Sequence, residues 1–166
     1  FMELYLIRHG IAALRENYAK DKERPLTDKG RQKTAKVAKQ LHERGLRFDL
    51  ILTSPLVRAR ETATILQEAG LASHVEEFAA LAPDGDIYVW LGWLEQRWQQ
   101  EARDKSLALV GHQPDLGNWA ETLVWGEAKE KLVLKKAGII GINIPDTKSP
   151  IGQSELFLLS SPKWLV

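Results

Sequence analysis

Three short stretches of the chain are apolar without interruption: Leu4-Tyr5-Leu6-Ile7 within 3–8, Leu50-Ile51-Leu52 within 49–53, and Leu107-Ala108-Leu109-Val110 within 106–111. Runs of this length with no polar alternation are the pattern of strands buried on both faces, as in a parallel sheet covered on each side by helices. Between the first two the period changes. Ala35, Ala38 and Leu41 recur at helical spacing after Thr27-Asp28-Lys29-Gly30, with Thr27 as candidate N-cap and Gly45 as the stop, which predicts a βαβ unit. After the second strand, Ser54 and Pro55 fit the N-cap and first position of another helix, whose buried stripe is Ala59, Ala63 and Leu66 and which ends near Gly70.

Residues 74–78 are a weaker strand candidate. Ile87, Leu91, Leu94 and Trp98 then recur at i, i+4, i+7 and i+11 and predict an amphipathic helix with Trp90, Leu94 and Trp98 in the core and Trp93 off the stripe, exposed. A helix from His112-Gln113-Pro114 to about Val124 and strands at 139–144 and 155–159 complete the pattern. Alternating β and α elements closed by a strand pair predict an α/β fold: a three-layer α/β/α sandwich on a mixed, mostly parallel sheet of about six strands. A length of 166 residues fits one domain over 1–166. Phe1, ahead of Met2, reads as an added residue and is given no weight.

Composition narrows the function classes. Hydrophobic residues at 44% and charged residues at 27% are ordinary globular values. The formal net charge of +1 gives no reason to expect nucleic acid or a membrane as partner, although residues 8–60 hold 14 basic and 6 acidic side chains (+8) and the remainder is net acidic. Cysteine is absent, which excludes disulfides, thiolate metal sites and a Cys nucleophile. With no apolar window long enough for a membrane span, the expectation is a cytoplasmic protein.

The chemistry follows the strands. In open α/β sheets ligands bind beyond the carboxyl ends of the strands, and there the sequence sets Arg8-His9-Gly10, then Ser54-Pro55-Leu56-Val57-Arg58, then Gly111-His112. Two imidazoles and two guanidinia suit a tetrahedral dianion and phosphoryl transfer, in which catalysis is mostly positioning and charge neutralisation. One imidazole can attack phosphorus if its other nitrogen is held as an N–H donor, and the second then stabilises the phosphoryl group. Gly10, without a Cβ, would let the backbone approach the anion.

Four motifs in order, Arg8-His9-Gly10, Arg24-Pro25-Leu26-Thr27 with Gly30, Ser54-Pro55-Leu56-Val57-Arg58-Ala59-Arg60-Glu61-Thr62, and Gly111-His112, resemble those of the histidine phosphatase superfamily, which includes the phosphoglycerate mutases. The short chain and the stretch Leu81 to Asp86 look most similar to its SixA-type phosphohistidine phosphatases. The resemblance implies a phosphoglycerate mutase-like fold, His9 as the phosphorylated nucleophile, Arg8 and Arg58 as the phosphate clamp, and His112 completing the pocket. Gly10, Arg24 and Thr27 would add substrate contacts, with no cofactor and no metal. Many members carry a Glu or Asp general acid in an inserted segment. Here the nearest candidates are Asp86 and Asp84, and Asp86 equally fits a helix N-cap.

The expected function is hydrolysis of phosphohistidine on a partner protein, such as a phosphotransfer domain of a phosphorelay. The alternatives are a small-molecule phosphomonoesterase, a mutase, a two-histidine metal hydrolase and a non-catalytic phosphate-binding module. Only about 50 residues separate Glu61 from Gly111, too few for a cap over the pocket. The alternative role for Arg58 is a surface pair with Glu61 or Thr62 on the next helical turn, and the lysines of the 28–45 helix form a solvated face or meet an acidic partner at the pocket rim. His42 and His74 have no motif around them and are read as surface residues.

Overall fold

The computed structural model describes residues 1–98, 105–146 and 149–166; the side chain of Trp98, expected in the core, lies outside the described residues. The apolar runs are strands of one sheet: β1 (Met2–Arg8), β2 (Leu50–Thr53), β3 (Val75–Glu77), β4 (Ser106–Gly111), β5 (Ile139–Ile144) and β6 (Glu155–Ser160), in the order β3-β2-β4-β1-β5-β6. β3, β2, β4 and β1 run parallel, whereas β5 is antiparallel to β1 and β6 to β5.

Unbroken apolar strands are required because helices cover both faces. Leu4, Leu6, Leu107 and Leu109 point to one face and pack with Trp90, Leu94, Leu116, Trp119 and Leu123. Tyr5, Ile7, Ala108 and Val110 point to the other and meet Val37, Ala38, Leu41, Ala59, Ala63 and Leu66. The helices are α1 (Asp28–Glu43) and α2 (Val57–Glu68) on the second face, α3 (Ile87–Trp93) and α4 (Asp115–Trp125) on the first, and a short C-terminal α5 (Pro162–Leu165) beside α1. The result is an α/β/α sandwich on a mixed sheet.

Several local expectations change. Thr27 caps α1 by accepting the Gly30 N–H at 2.9 Å, but Ala35 is exposed and Thr34 and Val37 take its place in the buried stripe. Helix α2 starts two residues later than Pro55, with Leu56 at the N-cap, because the Ser54 hydroxyl closes a tight turn by accepting the Leu56 N–H at 3.1 Å. α3 is shorter than its apolar stripe, and Leu94–Trp98 continue it as a π-helix. Trp93 is half-buried rather than exposed, edge-on to Phe78 with centroids 6.1 Å apart and below Arg97. His74 is exposed and His42 half-buried. Two 3-10 turns, Arg15–Asn17 and Asp21–Glu23, and helix α5 had no clear sequence signal. Among the described residues no helix is long and apolar enough to cross a membrane.

Candidate active site

β4 lies between β1 and β2, so the three strands named from sequence end side by side. Arg8 is in register with Gly111 and Thr53 with Val110, and the His9 and Ser54 amides extend the ladder to Gly111 O and Val110 O at 3.0 and 2.9 Å. This brings the His9 and His112 rings to 5.1 Å between centroids. Both histidines and Arg58 are buried, at 6%, 4% and 5% exposure. Arg58 arrives from the first turn of α2, which Gly10 fastens to the first motif by donating its N–H to Thr62 Oγ1 at 3.1 Å.

His9 Nδ1 lies 2.7 Å from the Gly10 carbonyl oxygen. A carbonyl only accepts, so Nδ1 carries the hydrogen and Nε2 keeps its lone pair. Burial, reinforced by the nearby His112, Arg58 and Arg8, outweighs this hydrogen bond and lowers the His9 pKa to about 3. The ring is therefore neutral at physiological pH, the form that can attack phosphorus.

His112 Nε2 is 2.7 Å from Ser54 Oγ, and its pKa is lowered to about 4 by burial and then by Arg58. Ser54 Oγ, which also accepts the Leu56 N–H, can donate its own proton to Nε2, and in that tautomer the His112 hydrogen lies on Nδ1. That Nδ1 has no partner among the described residues, nor do the buried Nε atoms of Arg8 and Arg58. Three donor nitrogens of the predicted tetrad are thus available for an oxyanion. Arg8 is steered by a 3.0 Å hydrogen bond from Nη1 to Leu134 O.

Sequence reasoning passed over Asp21. Arg58 does not pair with Glu61, which instead accepts the Leu26 N–H at 2.7 Å. Its Nη1 donates to Asp21 O at 3.0 Å and its Nη2 meets Asp21 Oδ2 at 3.1 Å, while Arg24 Nε meets Asp21 Oδ1 at 2.8 Å. Burial works to raise the Asp21 carboxyl, but the hydrogen bonds and charges of Arg24 and Arg58 outweigh it and hold it below the ordinary carboxylate range. The only sequence signal was its position three residues before Arg24, in a segment with no helical or strand period.

The remaining expectations divide. Arg24 reaches the site through Asp21 and donates to Ala13 O at 2.8 Å. The Thr27 hydroxyl is committed to capping α1. At Gly10 a Cβ would collide with Thr34 Oγ1 of α1. Asp86 is exposed and caps α3 by accepting the Tyr88 N–H at 2.9 Å. Asp84 is exposed and donates its backbone N–H to Asp115 at 2.8 Å. Neither aspartate side chain bonds to His9, Arg8, Arg58 or His112 among the described residues. No group of three or more His, Asp or Glu able to hold a metal occurs among them.

The model of the histidine phosphatase superfamily (branch 1) matches residues 4–103, a span with the first three motifs. The chain belongs to this superfamily. A protein of Picosynechococcus sp. (strain PCC 7002) described only as uncharacterized is 54% identical over 99% of each chain. The phosphohistidine phosphatase SixA of Escherichia coli (strain K12) is 31% identical over 130 residues, 76% of each chain. A structure of the protein histidine phosphatase SixA complexed with tungstate has a TM-score of 0.85 at 25% identity, over 99% of this chain and 100% of that one. The fold, though not more, is shared with the alpha-ribazole phosphatase from Shigella flexneri, at 19% identity and a TM-score of 0.66 over 97% of each chain. Membership and the SixA similarity support a hydrolase of the phosphatase type, on a fold like that of the SixA and phosphoglycerate mutase-like proteins.

Proposed function

We propose that this histidine phosphatase hydrolyses phosphohistidine on a partner protein through a phospho-His9 intermediate. The observation that supports the reading is the His9 Nδ1 contact to the Gly10 carbonyl, which leaves Nε2 with its lone pair in a buried, neutral ring. Nε2 attacks phosphorus while the P–N bond of the substrate breaks, its electron pair returning to the departing nitrogen of a ring protonated on its other nitrogen, so that the leaving group is neutral imidazole. Water then attacks phospho-His9, giving inorganic phosphate and free His9. Arg8, Arg58 and His112 Nδ1–H neutralise the three equatorial oxygens.

The substrate class follows from the acid. Asp21, the carboxylate nearest the clamp, is held ionised by two arginines, and Asp86 and Asp84 have no bond to the tetrad. A site without a ready proton donor expels an alkoxide poorly, whereas the weak P–N bond of a phosphorylated imidazole needs far less assistance. The similarity to SixA proteins supports the same choice, and the fold shared with an alpha-ribazole phosphatase keeps a small phosphomonoester as the second reading.

Rapid acid and base quenching of turnover on a phosphohistidine protein tests this. An acid-labile, base-stable phosphoenzyme is expected in the wild type and none in His9→Ala, with activity unchanged by EDTA and inhibited by vanadate. His9→Ala turning over at the wild-type rate would refute the nucleophile. A small phosphomonoester hydrolysed with higher kcat/KM than every phosphohistidine protein tried would refute the substrate class.

A further inference from the structure

Next to the site, and sharing only Arg8 with the residues the reaction uses, a cavity of about 600 Å³ opens along the molecule. Lys33 of α1, Lys135 and Lys136 of the loop before β5, and Lys163 and Trp164 of α5 line it. A second cavity of about 440 Å³ shares Lys33 and Lys163 and continues over Lys29 and Lys36. Among the described residues no Asp or Glu lines either one, and all six lysines are exposed without an ion pair. Trp164 is 73% exposed in the middle of this cationic field.

We infer that this groove docks an acidic surface flanking the phosphorylated histidine of the partner protein, an inference that rests on the function proposed above. Three features select that occupant. The field is contiguous with Arg8, so whatever lies in it is attached to, or beside, the group being dephosphorylated. Its lysines come from three separate elements and two adjoining cavities, a footprint too long for one metabolite and suited to a protein face. An exposed tryptophan ringed by charge is the residue type that anchors protein interfaces.

The groove is also rigidly tied to the site. Ala137 N donates to Arg8 O and His9 O at 3.0 and 3.1 Å, and Arg8 Nη1 donates to Leu134 O, so the loop bearing Lys135 and Lys136 is bonded directly to the residues that carry the reaction. A partner held by those lysines is thereby fixed in register with His9.

The test compares the wild type with Lys33→Glu/Lys136→Glu/Lys163→Glu on two substrates: an acidic phosphotransfer domain phosphorylated on histidine with phosphoramidate, and free phosphohistidine. The expected result is a loss of about tenfold or more in kcat/KM on the domain, mostly in KM, with free phosphohistidine within about twofold and the melting temperature unchanged. Wild-type kcat/KM on the domain should fall as salt rises from about 25 to 300 mM, and the variant should lose most of that dependence. Equal losses on both substrates, or no loss on the domain, would overturn the docking surface while leaving the phosphatase reading intact. So would flotation of the wild type with phosphatidylglycerol vesicles, lost in the variant while domain kinetics stay unchanged. A wild type that hydrolyses free phosphohistidine but leaves the domain phosphorylated would overturn the protein substrate and this inference together.

Discussion

Ser54→Ala isolates the part of the site that acts without touching phosphate. Ser54 is fully buried, and its hydroxyl holds two groups, the Leu56 amide at 3.1 Å and His112 Nε2 at 2.7 Å. Removing it orphans both in places water reaches poorly, since Leu56 is 8% and His112 4% exposed. An unsatisfied buried polar group costs about 1–3 kcal/mol, so with partial relaxation the two cost roughly 2–3 kcal/mol. At about 2–4 °C per kcal/mol for a protein of this size, the melting temperature should fall by roughly 5–10 °C. The catalytic effect is separate. Without the Ser54 proton on Nε2, the His112 hydrogen is no longer confined to Nδ1 and the ring is free to turn, which removes one oriented donor from the transition state, worth about tenfold or more in kcat. Thermal unfolding and steady-state hydrolysis of free phosphohistidine, both well below the variant's melting temperature, measure the two effects. A kcat within twofold of wild type alongside a lowered melting temperature would refute the tautomer argument and leave Ser54 a structural residue.

Arg58→Lys keeps the charge but loses the planar fork, and should cost about 10² in kcat while weakening inorganic phosphate binding less; a variant within twofold of wild type would remove Arg58 from the clamp. Gly10→Ala should destabilise by about 1–3 kcal/mol through the collision with Thr34 Oγ1, and Gly10→Ala/Thr34→Ala should recover most of it; a double variant as unstable as the single one contradicts that cause. Because the folded pKa values of His9 and His112 are depressed from 6.5 to about 3 and 4, the unfolded chain binds protons that the folded one refuses. Stability is therefore present above pH 6.5 and lost on acidification toward pH 4, by up to about 1.4 kcal/mol per pH unit for each histidine, while kcat stays level down to about pH 5; an acid limb near pH 6.5 that is traced to His9 would contradict the burial argument.

The strands were legible in the sequence because burial on both faces leaves a one-dimensional signature: every position from Leu4 to Ile7 and from Leu107 to Val110 must be apolar whichever way it points. The helix after Thr27 was legible for the same kind of reason, a cap and a period written locally. The tetrad could be named because its members follow directly on strand ends or sit one turn into a helix. Their meeting, however, was decided by strand order. β4 inserts between β1 and β2, and no local pattern specifies that. Asp21 was beyond sequence reasoning because it acts from an irregular turn through contacts 37 residues away, where neither period nor spacing leaves a trace. Ser54 read as a helix cap because an N-cap and a tight turn share one signature, a hydroxyl accepting a nearby backbone N–H; only its distance to His112, 58 residues on, reveals the second bond. The packing constraint on Gly10 was not legible, since the neighbour that forbids its Cβ comes from a helix the local sequence cannot see. Short-range order is written along the chain, whereas hydrogen bonds and collisions between distant segments exist only once the sheet has set those segments side by side.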